Sequence, residues 1–230
     1  MHHPRSHRYP GERAELKKLE AAGHPFCLVN QHFEGERFCE VDADHEAGDY
    51  EAVTHLLDQG FRQIAFLNGS PQYSNSGDRL KGYLRGMEQA GVIRADAGGR
   101  AEVPPHLYYE GNYSRTSGIR AAAALRPHLD RVDAVFVAND RMATGLMQGL
   151  REFGVRPGRD VAVVGYDDSD TARVTDPPLT SVAVPFYEMG KLAAEKPLQR
   201  IAASDGEAEE GFQIRLKTEL VVRQSSNKMK

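Results

Sequence analysis

Cysteine, net positive charge and long apolar runs are scarce in this 230-residue chain, and each shortage closes off a class of protein. Cys27 and Cys39 are the only cysteines and have no CxxC spacing, and the nine histidines form no HExxH pattern, so no metal site is expected. One cysteine flanks an expected strand and the other precedes the next. A disulfide is therefore geometrically possible, but two reduced thiols in a cytosolic protein is the expectation. The formal net charge is -4, without the concentrated basic element that nucleic-acid binding needs. The densest basic stretch, His2 to Arg8, sits among Pro4 and Pro10 and reads as a loop. No apolar run approaches the ~20 residues that span a bilayer. Met1 is not followed by a basic, apolar and small-residue leader, so no export signal is expected. Gly69 and its neighbours form neither a GxGxxG nor a P-loop pattern, and no nucleotide cofactor is expected.

What is present is an alternation of short apolar runs with amphipathic stretches. Helices are expected over 13–22, 44–59, 77–90, 113–125, 142–153 and from Phe186 toward Ile201, with Pro197 kinking or breaking the last. Asp44 is a candidate N-cap, followed by an apolar stripe of Ala47, Tyr50, Val53, Leu56 and Leu57. Strands are expected over 26–29, 64–67, 107–109, 132–137, 161–165, 181–184 and 212–222. The connections at 94–105 and the acidic 205–210 read as loops. This βαβ alternation predicts an α/β fold with a doubly wound parallel sheet.

Two of the apolar runs stop abruptly at polar side chains. Asp133-Ala-Val-Phe-Val-Ala-Asn-Asp-Arg-Met-Ala-Thr-Gly145 turns polar at Asn139 and Asp140, and Asp160-Val-Ala-Val-Val-Gly-Tyr-Asp-Asp168 does so at Asp167 and Asp168. A buried parallel strand has this form. Its carboxyl end is where open α/β sheets bind ligands.

These phrases occur in order with Phe26-Cys-Leu-Val-Asn30, Val41-Asp-Ala-Asp-His-Glu-Ala-Gly48, Asp78-Arg-Leu-Lys-Gly82, Pro177-Pro-Leu-Thr-Ser-Val182 and Thr218-Glu-Leu-Val-Val-Arg223. Together they resemble the effector-binding core of LacI/GalR-family transcriptional regulators. The resemblance implies a periplasmic-binding-protein-like type I fold of two lobes, crossed near Asp44, Val184 and Phe212. Residues 1–43 and 185–211 would form a partial N-terminal lobe, 44–184 and 212–223 the C-terminal lobe, and 224–230 a tail. Family members carry a helix-turn-helix module and several further strands and helices before the position of Met1. Against that pattern the chain is expected to be a truncated member with an incomplete N-terminal lobe.

Carried over residue by residue, the resemblance implies a ligand site of Arg79, Asn139, Asp167, Tyr113 and Asn30. Arg79 has a planar fork of donors suited to paired oxygens, or is a surface arginine pairing with Asp78 or Glu88. Asn139 both donates and accepts and Asp167 accepts, as a polyol requires. Asn139 could also cap the following helix. Tyr113 offers an aromatic face to a sugar ring or base, or is a half-buried tyrosine at a helix start. Asn30 is the expected polar contact from the opposite lobe. Asp140 and Asp168 are assigned to caps and loop bonds. Adjacent carboxylates at a strand end point in different directions, so no catalytic pair, and no enzyme, is expected. The implied function is sensing of a small hydroxylated effector, most simply a sugar, by a homodimer that binds DNA only in a full-length form. The alternative is a periplasmic solute-binding protein of a sugar transporter.

Overall fold

The computed structural model describes residues 10–94, 101, 103–202 and 211–227. The basic stretch from His2 to Arg8, Gly98 and Gly99 of the 94–105 connection, and the acidic loop at 205–210 lie outside them. In chain order the elements are α1 (Pro10–Ala21), β1 (Leu28–Val29), β2 (Glu40–Ala43), α2 (His45–Asp58), β3 (Ile64–Asn68), α3 (Ser74–Gln89), β4 (Tyr108–Glu110), α4 (Arg115–Leu125), β5 (Ala134–Val137), α5 (Asp140–Glu152), β6 (Ala162–Asp167), α6 (Asp170–Val174), β7 (Thr180–Ala183), α7 (Phe186–Ala202), β8 (Gln213–Leu216) and β9 (Glu219–Val221).

The chain divides into two units. The larger comprises His45–Pro71, Ser76–Val184 and Thr218–Lys230. Its six-stranded sheet runs β4-β3-β5-β6-β7-β9, parallel throughout except for antiparallel β9 at the edge. The order reverses at β3: the chain steps outward to β4, then returns to the other side of β3 as β5. Right-handed crossovers therefore put α3 on the opposite face from α4 and α5. This doubly wound topology opens a crevice at the carboxyl ends of β3 and β5.

Strands covered on both faces have no need of polar alternation, and β3 and β5 are buried at every position. Phe66 stacks on Phe136 at 5.2 Å and on Tyr83 at 5.0 Å between ring centroids. Glycine seams bring the helices of each face close together. A Cβ on Gly118 would lie 2.0 Å from the Met142 carbonyl, and one on Gly145 2.0 Å from the Arg115 carbonyl. On the other face a Cβ on Gly82 would lie 2.3 Å from the Glu46 carbonyl and 2.7 Å from the Asp49 Cβ. Glycine is required at these close approaches because the atoms met are largely backbone, which cannot rotate away.

The smaller unit comprises Met1–Asp44, Gln72–Asn75 and Pro185–Lys217. It contains a three-stranded parallel sheet, β1-β2-β8, rather than the single strand expected. Two sequence expectations change here. The strand expected over 212–222 is two strands: β8 pairs with β2 in the smaller unit, and β9 pairs with β7 in the larger. The last crossing accordingly falls between Lys217 and Thr218, not near Phe212. One apolar run can serve two sheets because its period of two carries no information about its partner. Pro197 stands inside α7 without ending it. It removes one backbone hydrogen bond, a penalty of roughly 3 kcal/mol, and the bonded turns on either side carry the helix through.

Two smaller differences follow from packing. The stretch after 223 is not a loose tail: Gln224–Ser226 forms a 3-10 turn with Ser225 and Ser226 fully buried. Ser225 Oγ donates to the Val163 carbonyl at 2.6 Å and accepts from Thr180 N at 2.8 Å. The buried side of α2 is His45, Gly48, Asp49, Ala52, Val53, Leu56 and Leu57, rotated from the expected stripe, with Ala47 exposed. Cys27 and Cys39 are free thiols.

Candidate ligand-binding site

The residues singled out in the larger unit gather at the carboxyl rim of its sheet. Tyr113 precedes Ser114, whose side chain caps α4. Its backbone is left-handed, with φ 64°. The ring lies against Gly69, just beyond β3, where a Cβ would fall 1.9 Å from the ring Cζ. Its hydroxyl is 2.6 Å from Ser76 Oγ. Asn139 caps α5: its Oδ1 accepts from Met142 N at 2.8 Å, and its Nδ2 donates to the Tyr113 carbonyl at 3.2 Å. The capping expectation is therefore met, leaving one amide hydrogen and one lone pair for other partners.

Asp167 ends β6 and Asp168 follows it, with positive φ values of 103° and 48°. Two successive non-glycine residues in this region cost about 1–3 kcal/mol each. The distortion gives the neighbours different roles. The Asp168 carboxylate pairs with Arg223 at 2.6 Å and Arg173 at 3.7 Å, and its backbone N–H donates to Ser181 Oγ. Asp140 accepts from Ser169 N, Ser169 Oγ and Ser181 Oγ, at 2.7, 3.0 and 2.7 Å. Asp167 has a carboxyl pKa raised to about 7, first by burial and then by the Asp140 charge, against the opposing pull of Arg79 and Arg141.

Arg79, on the second turn of α3, is neither a surface residue nor paired with Asp78 or Glu88: only 2% of it is exposed. Its guanidinium carbon lies 3.4 Å from the centroid of the Tyr166 ring, and Nη1 is 3.5 Å from Asp49 Oδ1. Among the described residues, Nε and Nη1 have no hydrogen-bond partner, and neither has either carboxylate oxygen of Asp49. The Tyr166 hydroxyl is 2.9 Å from His45 Nδ1. Tyr113 and Asp167 lie near enough to act electrostatically on Arg79. The Asp49 carboxyl, fully buried, is pushed well above the usual range by desolvation, with Arg79 opposing and Asp78 reinforcing.

Arg79, Tyr113, Asn139 and Asp167 are thus brought to one end of the sheet, which gathers buried guanidinium nitrogens without hydrogen-bond partners among the described residues, a carboxyl group, an amide and an aromatic ring. Asn30 belongs to the smaller unit. It follows β1 with φ 57°, and its N–H donates to the Val41 carbonyl at 3.0 Å. A cavity of about 330 Å3 in that unit, lined by His32, Phe33, Glu40, Asp42, Gln213 and Arg215 among others, contains none of the five residues. Sequence reasoning missed Asp49, Tyr166, His45 and Ser76. A signal for Asp49 exists: it stands three, four and seven residues before Ala52, Val53 and Leu56, so a carboxylate lies in line with the buried side of α2.

Comparison with known proteins gives a consistent picture. The sequence model of the periplasmic binding protein-like domain matches residues 53–226. The transcriptional regulator CelR of Thermobifida fusca is 37% identical over 212 residues, which are 90% of this chain and 58% of that protein. The chain therefore spans about three fifths of this relative's length. The CelR-cellobiose complex superimposes with a TM-score of 0.80 at 33% identity, over 91% of this chain and 61% of that one. A LacI family regulator from Enterococcus faecium with bound ribose gives 0.79 at 26% identity, over 95% and 76%.

Proposed function

The chain belongs to the LacI/GalR family of regulators with a periplasmic-binding-protein-like domain, and on that premise we propose that it is an effector-sensing domain that binds a sugar. The observation that carries the reading is Arg79. It is buried, it is held by Tyr166 and Asp49, and it keeps two guanidinium nitrogens without hydrogen-bond partners among the described residues, beside Tyr113 and Asp167. Unmet buried donors cost about 1–3 kcal/mol each, a penalty that a ligand's hydroxyl oxygens remove on binding.

In this reading Arg79 donates to sugar oxygens and Asp167 accepts from a hydroxyl. The remaining Asn139 amide hydrogen donates to another, and the Tyr113 ring packs on the carbon face of the sugar. Asn30, at the end of β1, is a separate candidate for a polar contact. The relatives bind cellobiose and ribose as transcriptional regulators, which supports regulation over transport and over catalysis. A ligand that prefers one conformation shifts the population toward it, and a full-length form with a helix-turn-helix would convert that shift into changed DNA affinity. Function in the cytoplasm and as a homodimer belongs to the same proposal. Exposed Tyr187, Leu198 and Ile201 on α7 support self-association. No helix among the described residues is long and apolar enough to cross a membrane.

The test is a thermal-shift and calorimetric screen of cellobiose, ribose, other mono- and disaccharides and purine nucleosides. A sugar present at a hundred times its Kd should stabilise the protein by about 2.7 kcal/mol, and Arg79→Lys should weaken it at least tenfold. A nucleoside hit without any sugar hit would overturn the sugar assignment. Loss of no affinity in Arg79→Lys would overturn the site.

A further inference from the structure

We propose that Asp49 makes the rim selective for an uncharged, hydroxyl-bearing effector over an anionic one, by neutralising Arg79 from within the protein. The inference rests on the effector-site reading above and adds to it the charge class of the ligand. Asp49 is fully buried, and neither carboxylate oxygen has a hydrogen-bond donor among the described residues. The cation beside it is Arg79, with Nη1 3.5 Å from Oδ1. Burial favours the protonated form of this carboxyl and the Arg79 charge opposes it, so what charge Asp49 carries is held by, and directed at, the guanidinium best placed to receive a ligand.

The other charges at the rim point the same way. The Asp140 charge acts on the Asp167 carboxyl. Arg223 and Arg173 are engaged with Asp168. Arg141 acts on Asp167. A phosphate or carboxylate arriving at Arg79 would meet a cation already paired, next to further carboxyl groups, where water screens poorly. A sugar hydroxyl accepts from Nε or Nη1 without bringing a charge. The position is also geometrically tight, since a Cβ on Gly82 of α3 would come within 2.7 Å of the Asp49 Cβ. The α2–α3 seam therefore holds the Asp49 backbone close against the helix that carries Arg79.

The experiment is calorimetric titration of the whole chain at constant ionic strength with cellobiose, ribose, ribose 5-phosphate and inorganic phosphate. The proteins are wild type, Asp49→Asn, Asp49→Glu and the double variant Asp49→Asn/Arg79→Met. Wild type should bind a neutral sugar at least tenfold more tightly than either phosphate ligand. Asp49→Asn should shift that ratio at least tenfold toward the anions. Its gain in inorganic phosphate affinity should disappear in the double variant, which shows that the gain is at Arg79. Asp49→Glu keeps the charge and should keep the wild-type preference.

Equal phosphate affinity in wild type and Asp49→Asn would overturn the inference, as would a wild-type preference for ribose 5-phosphate over ribose. Should Asp49→Asn not fold, the wild-type ratio and Asp49→Glu still decide. If neither sugar binds while the phosphate gain is seen, the sugar reading fails and the role of Asp49 stands.

Discussion

Replacing Arg79 by methionine keeps the length and apolar packing of the stem over Tyr166 while deleting the charge, and the structure sets the size of the loss. The Nη1–Oδ1 separation is 3.5 Å, which at an effective dielectric constant of 20 corresponds to about 5 kcal/mol of attraction. Removing one member of a buried pair typically costs about 3–5 kcal/mol, because the other charge stays behind desolvated. Asp49 has no hydrogen-bond donor to soften that penalty. Arg79→Met should therefore destabilise the protein by about 3 kcal/mol or more at pH 7. Arg79→Met/Asp49→Asn should recover about 2 kcal/mol of it, since both charges are then gone. The sign with pH follows. The Asp49 carboxyl is already raised in the wild type and rises further once Arg79 is lost. Its folded state takes up the proton at higher pH than in the wild type, so the deficit shrinks as pH falls through the variant's raised value and levels off once wild-type Asp49 is protonated too. Urea unfolding followed by far-ultraviolet circular dichroism at pH 5 and 7 measures all four values. A single-variant loss below about 1 kcal/mol, or a double variant no more stable than the single, would refute the buried-pair argument.

Asp167→Asn removes a group that holds its proton to about pH 7 in the fold and releases it near 4 when unfolded. Wild type therefore loses stability as pH rises between those values, and the variant does not. The variant's melting temperature relative to wild type should climb from pH 4.5 to 7.5 while its sugar affinity falls; a pH-independent offset would contradict the shift. Asp168→Asn, deprived of its Arg223 pair, should lose stability with little change in sugar affinity, and the reverse ranking would reassign the two residues. Gly145→Ala drives a methyl to within 2.0 Å of the Arg115 carbonyl and should cost about 1–3 kcal/mol. Gly77→Ala, in α3 with nothing within 4 Å of the added carbon, should be neutral or stabilising by up to about 1 kcal/mol. Equal melting temperatures for the two glycine variants would dismiss the α4–α5 seam as a close contact.

The local features of this chain were legible before any coordinates. Strands β3, β5 and β6 read as continuous apolar runs because a parallel strand is covered on both faces, and Asn139 and Asp167 could be placed at its carboxyl end because polar groups return where the chain leaves the sheet. Asn139 as a helix cap follows from the same short-range logic. Each of these depends on residues within one turn or one strand of each other.

Features joining residues far apart were decided only by the fold. The run from 212 to 222 divides between two sheets because pairing partners, unlike periodicity, are not encoded locally. The tail expected at 224–230 gives way to burial at Ser225 and Ser226 because Ser225 finds acceptor and donor on β6 and β7. The left-handed backbone at Asp167 and Asp168 separates two adjacent carboxylates into a rim acceptor and an ion-pair partner. The assembly of Arg79 from α3, Asp49 from α2 and Tyr166 from β6 depends on helix–helix and helix–sheet packing across 30 to 117 residues of chain. Desolvation created by that packing turns an arginine that could have been a surface residue into a buried cation with a fixed counter-charge.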